Sequence, residues 1–120
     1  MLRGAMLRGE VRLADLDPAR GSEASKRRPV VVVSNDHANL AVARLGRGVV
    51  TVVPMTSSVE RVYPFQVRVP AEVSGLRRDS KAQAEQVRTI AVERLGEPLA
   101  LLPADVVRAL DDALRLHLAL

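Results

Sequence analysis

Hydrophobic and polar positions along the chain alternate in some stretches and run together in others, and the two patterns predict different elements. From Glu10 the apolar Val11 and Leu13 alternate with Arg12 and Ala14, the period of a half-buried strand. Residues 29–33, PVVVV, form an unbroken β-branched run, which predicts a central strand buried on both faces. Ser34, Asn35 and Asp36 offer turn and capping groups ahead of HANLAVARL, a short helix. Gly46 and Gly48 bracket a turn into a second β-branched run, VVTVV, which ends at Pro54. A further strand, FQVRV, lies between Pro64 and Pro70, with Phe65, Val67 and Val69 alternating.

The segment 79–90, DSKAQAEQVRTI, reads as helix by propensity, because Ala, Gln and Glu favour it. Leu95 to Leu102 reads as a last short strand. Pro103 is suited to the first turn of a helix, and Asp105 to the positive end of its dipole. Along that helix Val106, Val107, Leu110, Ala113, Leu114, His117 and Leu118 make one apolar stripe, which places His117 in the core. Asp111 and Arg115 are spaced for an ion pair, and Leu116 with Leu120 forms a weak second contact face. The sum is a mostly-β chain, a small barrel or sheet with short helices and a C-terminal α-helix.

Composition narrows the chemistry. The 120 residues suit one domain. There is no cysteine, which removes disulfides and thiolate catalysis, and the two histidines stand apart without metal-ligand spacing, so no metal or cofactor site is indicated, with carboxylate-only metal sites left open. No apolar run approaches a membrane span, and MLRGAMLRGE lacks the apolar core of a secretory signal, so a cytoplasmic location is expected. MLRG occurs at 1–4 and again at 6–9; Met6 therefore reads as an alternative start, with 1–7 a loose extension and 8–120 a single domain.

The formal charge of +4, mostly from arginine, is compatible with a phosphate-rich partner. With one Tyr, one Phe and no Trp, a stacking sleeve for single strands is disfavoured, so RNA contacts would lean on arginine, polar side chains and backbone. Between Asp17-Pro18 and Arg28 lies a long polar loop without periodicity, the kind of segment that carries function.

Four stretches occur in the order of one known family: RGEVRLADLDPARGSE at 8–23, KRRPVVVVSND at 26–36, VVTVVPMTSS at 49–58, and DSKAQAEQVRTI with VERLG at 79–96. With the C-terminal DDALRLHLAL, they cover 8–120, and on them the chain resembles the MazF/PemK toxin endoribonucleases. The resemblance implies an SH3-like barrel with a C-terminal helix, a homodimer, and a strand rather than a helix over 79–86. One departure is Arg12, where relatives carry Trp or Tyr.

For the site, the resemblance implies Arg28, directly before Pro29, and Thr56 as catalytic residues, with Glu23 a further candidate as general base. Arg28 can grip two phosphate oxygens with a permanently charged fork, and Thr56 can donate from its hydroxyl. On an extended strand Arg27 and Arg28 point to opposite sides, so one alone should face the site. Ser22, Arg27, Ser57, Ser58, Arg61, Gln86 and Arg88 are RNA-binding candidates, and Glu85, Gln86 and Arg88 are expected to bind or brace.

The implied reaction is cleavage of single-stranded RNA without metal or cofactor. The 2′-hydroxyl attacks the scissile phosphate, giving a 2′,3′-cyclic phosphate and a 5′-hydroxyl and so inhibiting translation and growth. The implied partner is a MazE-like antitoxin with an acidic tail, which the arginines near 20–28 and at 77–78 would suit as well as they suit RNA. Two other readings stay open: a non-enzymatic CcdB-like toxin of the same fold acting on DNA gyrase, and an inert RNA-binding or dimerisation module.

Overall fold

A computed structural model describes residues 6–16 and 27–120. Strands β1 (Glu10–Asp15) and β2 (Arg27–Val32) are followed by helix α1 (Asp36–Leu45), then β3 (Val49–Thr56) and β4 (Gln66–Val69). After the single turn α2 (Ala71–Ser74) come β5 (Ser80–Gln83), β6 (Arg88–Ala91), β7 (Leu95–Leu101) and helix α3 (Ala104–Leu118). The seven strands form one antiparallel sheet in the order β4-β5-β3-β2-β1-β7, with β6 pairing β3 off that path.

The valine runs make sense because the sheet is covered on both faces. Val11, Val31, Val53, Met55, Val69 and Ala82 point to one face and pack with Leu110 and Ala113 of α3. Ala14, Val30, Val32, Val50, Val52 and Ile90 point to the other, beneath Met6, Leu16 and the Val42 and Ala43 side chains of α1. Successive residues of β2 and β3 therefore enter different cores, which a strand with one wet face could not do. Helix α1 starts at an Asn35 cap, whose Oδ1 accepts from the Ala38 amide at 2.8 Å, and ends at Gly46 in the left-handed region.

Several expectations change. The fold is mostly β with short helices and a C-terminal helix, as expected; its sheet path is open, with β4 and β7 at the ends, rather than closed into a barrel. Residues 79–90 are not a helix, and the alternative of a strand over 79–86 holds for 80–83, with a 3-10 turn at Ala84–Gln86. Ala82 decides this: it pairs with Met55 and Val67 and is buried in the first core, a tertiary gain that outweighs helix propensity.

In β1, irregular pairing with β7 around Arg12 leaves Ala14 fully buried and Leu13 only half-buried, so the expected alternation breaks there. His117 is exposed rather than in the core, and Leu118 is 49% exposed, so the buried stripe of α3 stops short of its last turn. Asp111 pairs with Arg8 at 2.6 Å and Arg115 with Asp112 at 3.1 Å, not with each other. Pro103 is the residue before the first turn of α3, not part of it.

Met6 is buried in the second core, and the Leu7 amide donates to Glu10 Oε1 at 2.9 Å, so residues 6 and 7 belong to the packed fold, while residues 1–5 of the expected extension lie outside the described residues. Among the described residues no helix is long and apolar enough to cross a membrane.

Candidate active site

The site begins with the way β2 and β3 pair. Val30 faces Pro54, Val31 faces Val53 and Val32 faces Val52. Two residues beyond the Val30–Pro54 pair stand Arg28 on β2 and Thr56 on β3, which strand alternation assigns to the sheet face that carries Val30 and Pro54. On that face the inner half is sealed by α1, while the outer half turns polar at Arg28, Thr56 and Thr56's cross-strand partner Lys81. Arg28 is exposed and Thr56 is half-buried.

A cavity of about 440 Å³ opens at this end of the sheet. Arg27, Arg28, Pro29, Met55, Thr56 and Ser57 form one wall. Leu76, Arg77 and Arg78, from the turn between α2 and β5, complete the lining with the buried Ser80. Arg27 and Arg28 both line it, against the expectation that one alone would. The two are still distinct. The Arg27 guanidinium lies over Gly96 of β7, where an added Cβ would stand 3.3 Å from its Nη1. Arg28 also lines a second hollow of about 230 Å³, with Leu16, Pro54, Gln83, Gln86 and Arg88.

The remaining candidates divide. Ser57 stands in the first cavity; Gln86 and Arg88 join Arg28 in the second. Ser58 lines neither, but its amide donates to Thr56 Oγ1 at 3.3 Å and so fixes the hydroxyl's lone pair and rotamer. Arg61 is exposed beside Tyr63, donating to its hydroxyl at 3.2 Å, and its carbonyl accepts from the buried Lys81 Nζ at 2.6 Å. Glu85 braces: its Oε2 accepts from Gln66 Nε2 at 2.7 Å, while Oε1 is buried with no partner among the described residues. Ser22 and Glu23 lie outside the described residues.

Arg77, Arg78, Ser80 and Gln83 also line these cavities, and the sequence assigns none of them a specific place in the site. The basic pair registers there only as surplus charge, and nothing local marks Ser80 or Gln83. Arg12 is not a free charge replacing a stacking ring: it is buried, donates to Glu10 Oε1 at 2.9 Å and to the Gly96 carbonyl at 2.9 Å, and stays within the fold. Asp79 accepts from the Ala71 amide at 2.8 Å and from Arg68 at 3.0 Å, and these bonds, the amide's first, hold its carboxyl below the usual range. Among the described residues no group of three or more His, Asp or Glu stands together as a metal site would require.

Residues 7–118 match the family model described as PemK-like, MazF-like toxin of type II toxin-antitoxin system. The chain is 59% identical over 115 residues to endoribonuclease MazF9 of Mycobacterium tuberculosis, covering 96% of this chain and 98% of that protein. It is 36% identical over 114 residues to endoribonuclease EndoA of Bacillus subtilis, covering 94% of each. Among solved structures, a MazE-MazF crystal structure from Deinococcus radiodurans superposes with a TM-score of 0.78 at 28% identity, over 97% of both chains. An endoribonuclease in complex with its cognate antitoxin, from a mycobacterial species, superposes with a TM-score of 0.74 at 26% identity, again over 97% of both.

Proposed function

The chain belongs to the PemK-like, MazF-like toxins of type II toxin-antitoxin systems, and we propose that it is an endoribonuclease cutting single-stranded RNA without metal at the Arg28–Thr56 cavity. The observation that carries this reading is the composition of that cavity. Guanidinium and hydroxyl groups converge on it, and among the described residues no carboxylate lines it. Such a lining suits an anion whose charge grows during reaction.

The chemistry follows from the bonds that change. The RNA 2′-hydroxyl attacks the adjacent phosphorus, the new P–O2′ bond forms, the P–O5′ bond breaks, and the products carry a 2′,3′-cyclic phosphate and a 5′-hydroxyl. Arg28 holds two non-bridging oxygens and gains most when the phosphorane carries its extra charge. Thr56, its rotamer held by the Ser58 amide, donates to the phosphate or the leaving oxygen. Arg27 and Ser57 grip the strand within the same cavity, Gln86 and Arg88 extend contact past Arg28, and Arg61 with Ser58 contacts it beyond Thr56. Ser22 binds the strand, and Glu23 takes the 2′-hydroxyl proton.

The relatives named MazF9 and EndoA are endoribonucleases, which favours RNA cleavage over a gyrase-directed toxin. Relatives solved with an antitoxin support a MazE-like partner; in this reading the partner covers the same cavity of a homodimer in the cytoplasm, and its absence gives growth arrest. The test is incubation of the purified protein with a mixed RNA pool and a chelator, followed by end analysis. Cyclic phosphate and 5′-hydroxyl ends, absent with Arg28→Ala, support the reading; intact RNA, or cleavage that continues unchanged in Arg28→Ala, overturns it.

A further inference from the structure

The reaction described for Arg28 and Thr56 asks for one guanidinium on one phosphate. The cavity lining holds four arginines: Arg27 and Arg28 at the start of β2, and Arg77 and Arg78 from the turn before β5. All four are exposed, and none joins an ion pair among the described residues. Four like charges around one hollow repel one another, an arrangement that favours an anionic ligand with more than one charged group.

The turn that carries Arg77 and Arg78 is held before any ligand arrives. Ser74 Oγ accepts from the Leu76 amide at 3.1 Å. Gly75, at φ +75, lies so close to β7 that an added Cβ would stand 2.8 Å from the Leu99 carbonyl oxygen. Asp79 is the acid next to Arg78 in sequence and the obvious group to neutralise it. It is committed instead to the Ala71 amide and to Arg68. The turn is thus tied at both ends, and the carboxylate beside Arg78 is engaged elsewhere.

We propose that Arg77 and Arg78 form a second phosphate subsite, which holds the RNA backbone at a phosphate neighbouring the one gripped by Arg28. They are positioning residues, touching the strand away from the reacting atoms. The inference rests on the RNA-directed reading above and adds to it a minimum substrate, a strand with two consecutive phosphates. Flexible arginines on an untied turn would lose more entropy on closing around a strand; this turn has already given up much of its freedom.

Binding tests this without relying on cleavage. A fluorescent single-stranded RNA of mixed sequence, 2′-O-methylated throughout so that no 2′-hydroxyl can attack, is titrated with wild type and with Arg77→Ala/Arg78→Ala between about 50 and 200 mM salt. The slope of log affinity against log salt is expected to fall by about 0.7 for each phosphate that the variant no longer neutralises. Arg77→Lys/Arg78→Lys, which keeps the charges, should restore most of that slope. On a cleavable strand the alanine variant should show a raised KM with kcat near the wild-type value.

An unchanged slope in a variant with wild-type thermal stability overturns the subsite, as does a defect confined to kcat. A reduced slope in a protein that cleaves no RNA upholds the subsite while sinking the enzymatic reading, so the two failures are separable.

Discussion

Arg28 and Thr56 come from different strands yet line the same cavity, each two residues beyond the Val30–Pro54 pair along its own strand. Their geometry is inherited from the valine ladder beneath them. If both act on one phosphate, removing either should lower kcat by about two to three orders of magnitude. The Arg28→Ala/Thr56→Ala double variant should then be impaired much less than the product of the two single effects. Single-turnover cleavage measures this; strictly multiplicative effects would mean that the two serve separate steps.

Glu10 and Arg12 form an ion pair that is nearly out of solvent, each side chain 11% exposed. Arg12→Ala leaves the Glu10 carboxylate with the Leu7 amide as its remaining partner, and should destabilise the fold by about 3 kcal/mol. Replacing both, as Glu10→Gln/Arg12→Met, should recover much of that stability. Urea unfolding of the three proteins decides it, and a double variant no better than the single would argue against an uncompensated charge as the cause.

Asp79 has a folded-state pKa below its ordinary 3.8. A depressed carboxyl contributes stability that is complete above the unfolded value and is lost as pH falls through the folded one. The wild type should therefore lose this contribution only below about pH 3.8, and Asp79→Asn should lack that part of the acid dependence. Acid titration followed by circular dichroism compares the two; superimposable profiles would show that the carboxylate contributes nothing.

Gly75 has both a left-handed φ of +75 and no room for a side chain against the Leu99 carbonyl. Gly75→Ala should cost about 1–3 kcal/mol. The turn beside it should move, so binding of the 2′-O-methyl RNA should weaken more than it does after Gly46→Ala. Gly46 also has a positive φ, but an added Cβ there meets nothing within 4 Å. Equal weakening in the two variants would detach the turn's shape from RNA affinity.

How much of the fold and site is legible in the sequence varies with how local the cause is. The runs at 29–33 and 49–53 announce buried strands because β-branched residues in succession have few other stable fates. Arg28 and Thr56 are found through motif order, since nothing in a surface arginine or a strand-end threonine distinguishes it alone. Residues 80–83 mislead because Lys, Ala and Gln carry helix propensity, while the deciding contacts, Ala82 with Met55 and Val67, come from other strands. His117 misleads for the opposite reason: its helical period is right, but burial along α3 ends before it, with residues 115–120 all exposed. Arg77 and Arg78 reach the cavity only because the turn folds back toward β2, a juxtaposition no local pattern encodes.

Strands β2 and β3 contribute to both hydrophobic cores at once, and the two site residues sit at their ends. A segment anchored this way has no small opening motion of its own; freeing its backbone to exchange amide protons requires separating α1, α3 and the sheet together. The frame under Arg28 and Thr56 should consequently stay assembled for as long as the protein is folded. Control of such a catalyst by local melting is closed off, which leaves occlusion from outside as the way to silence it.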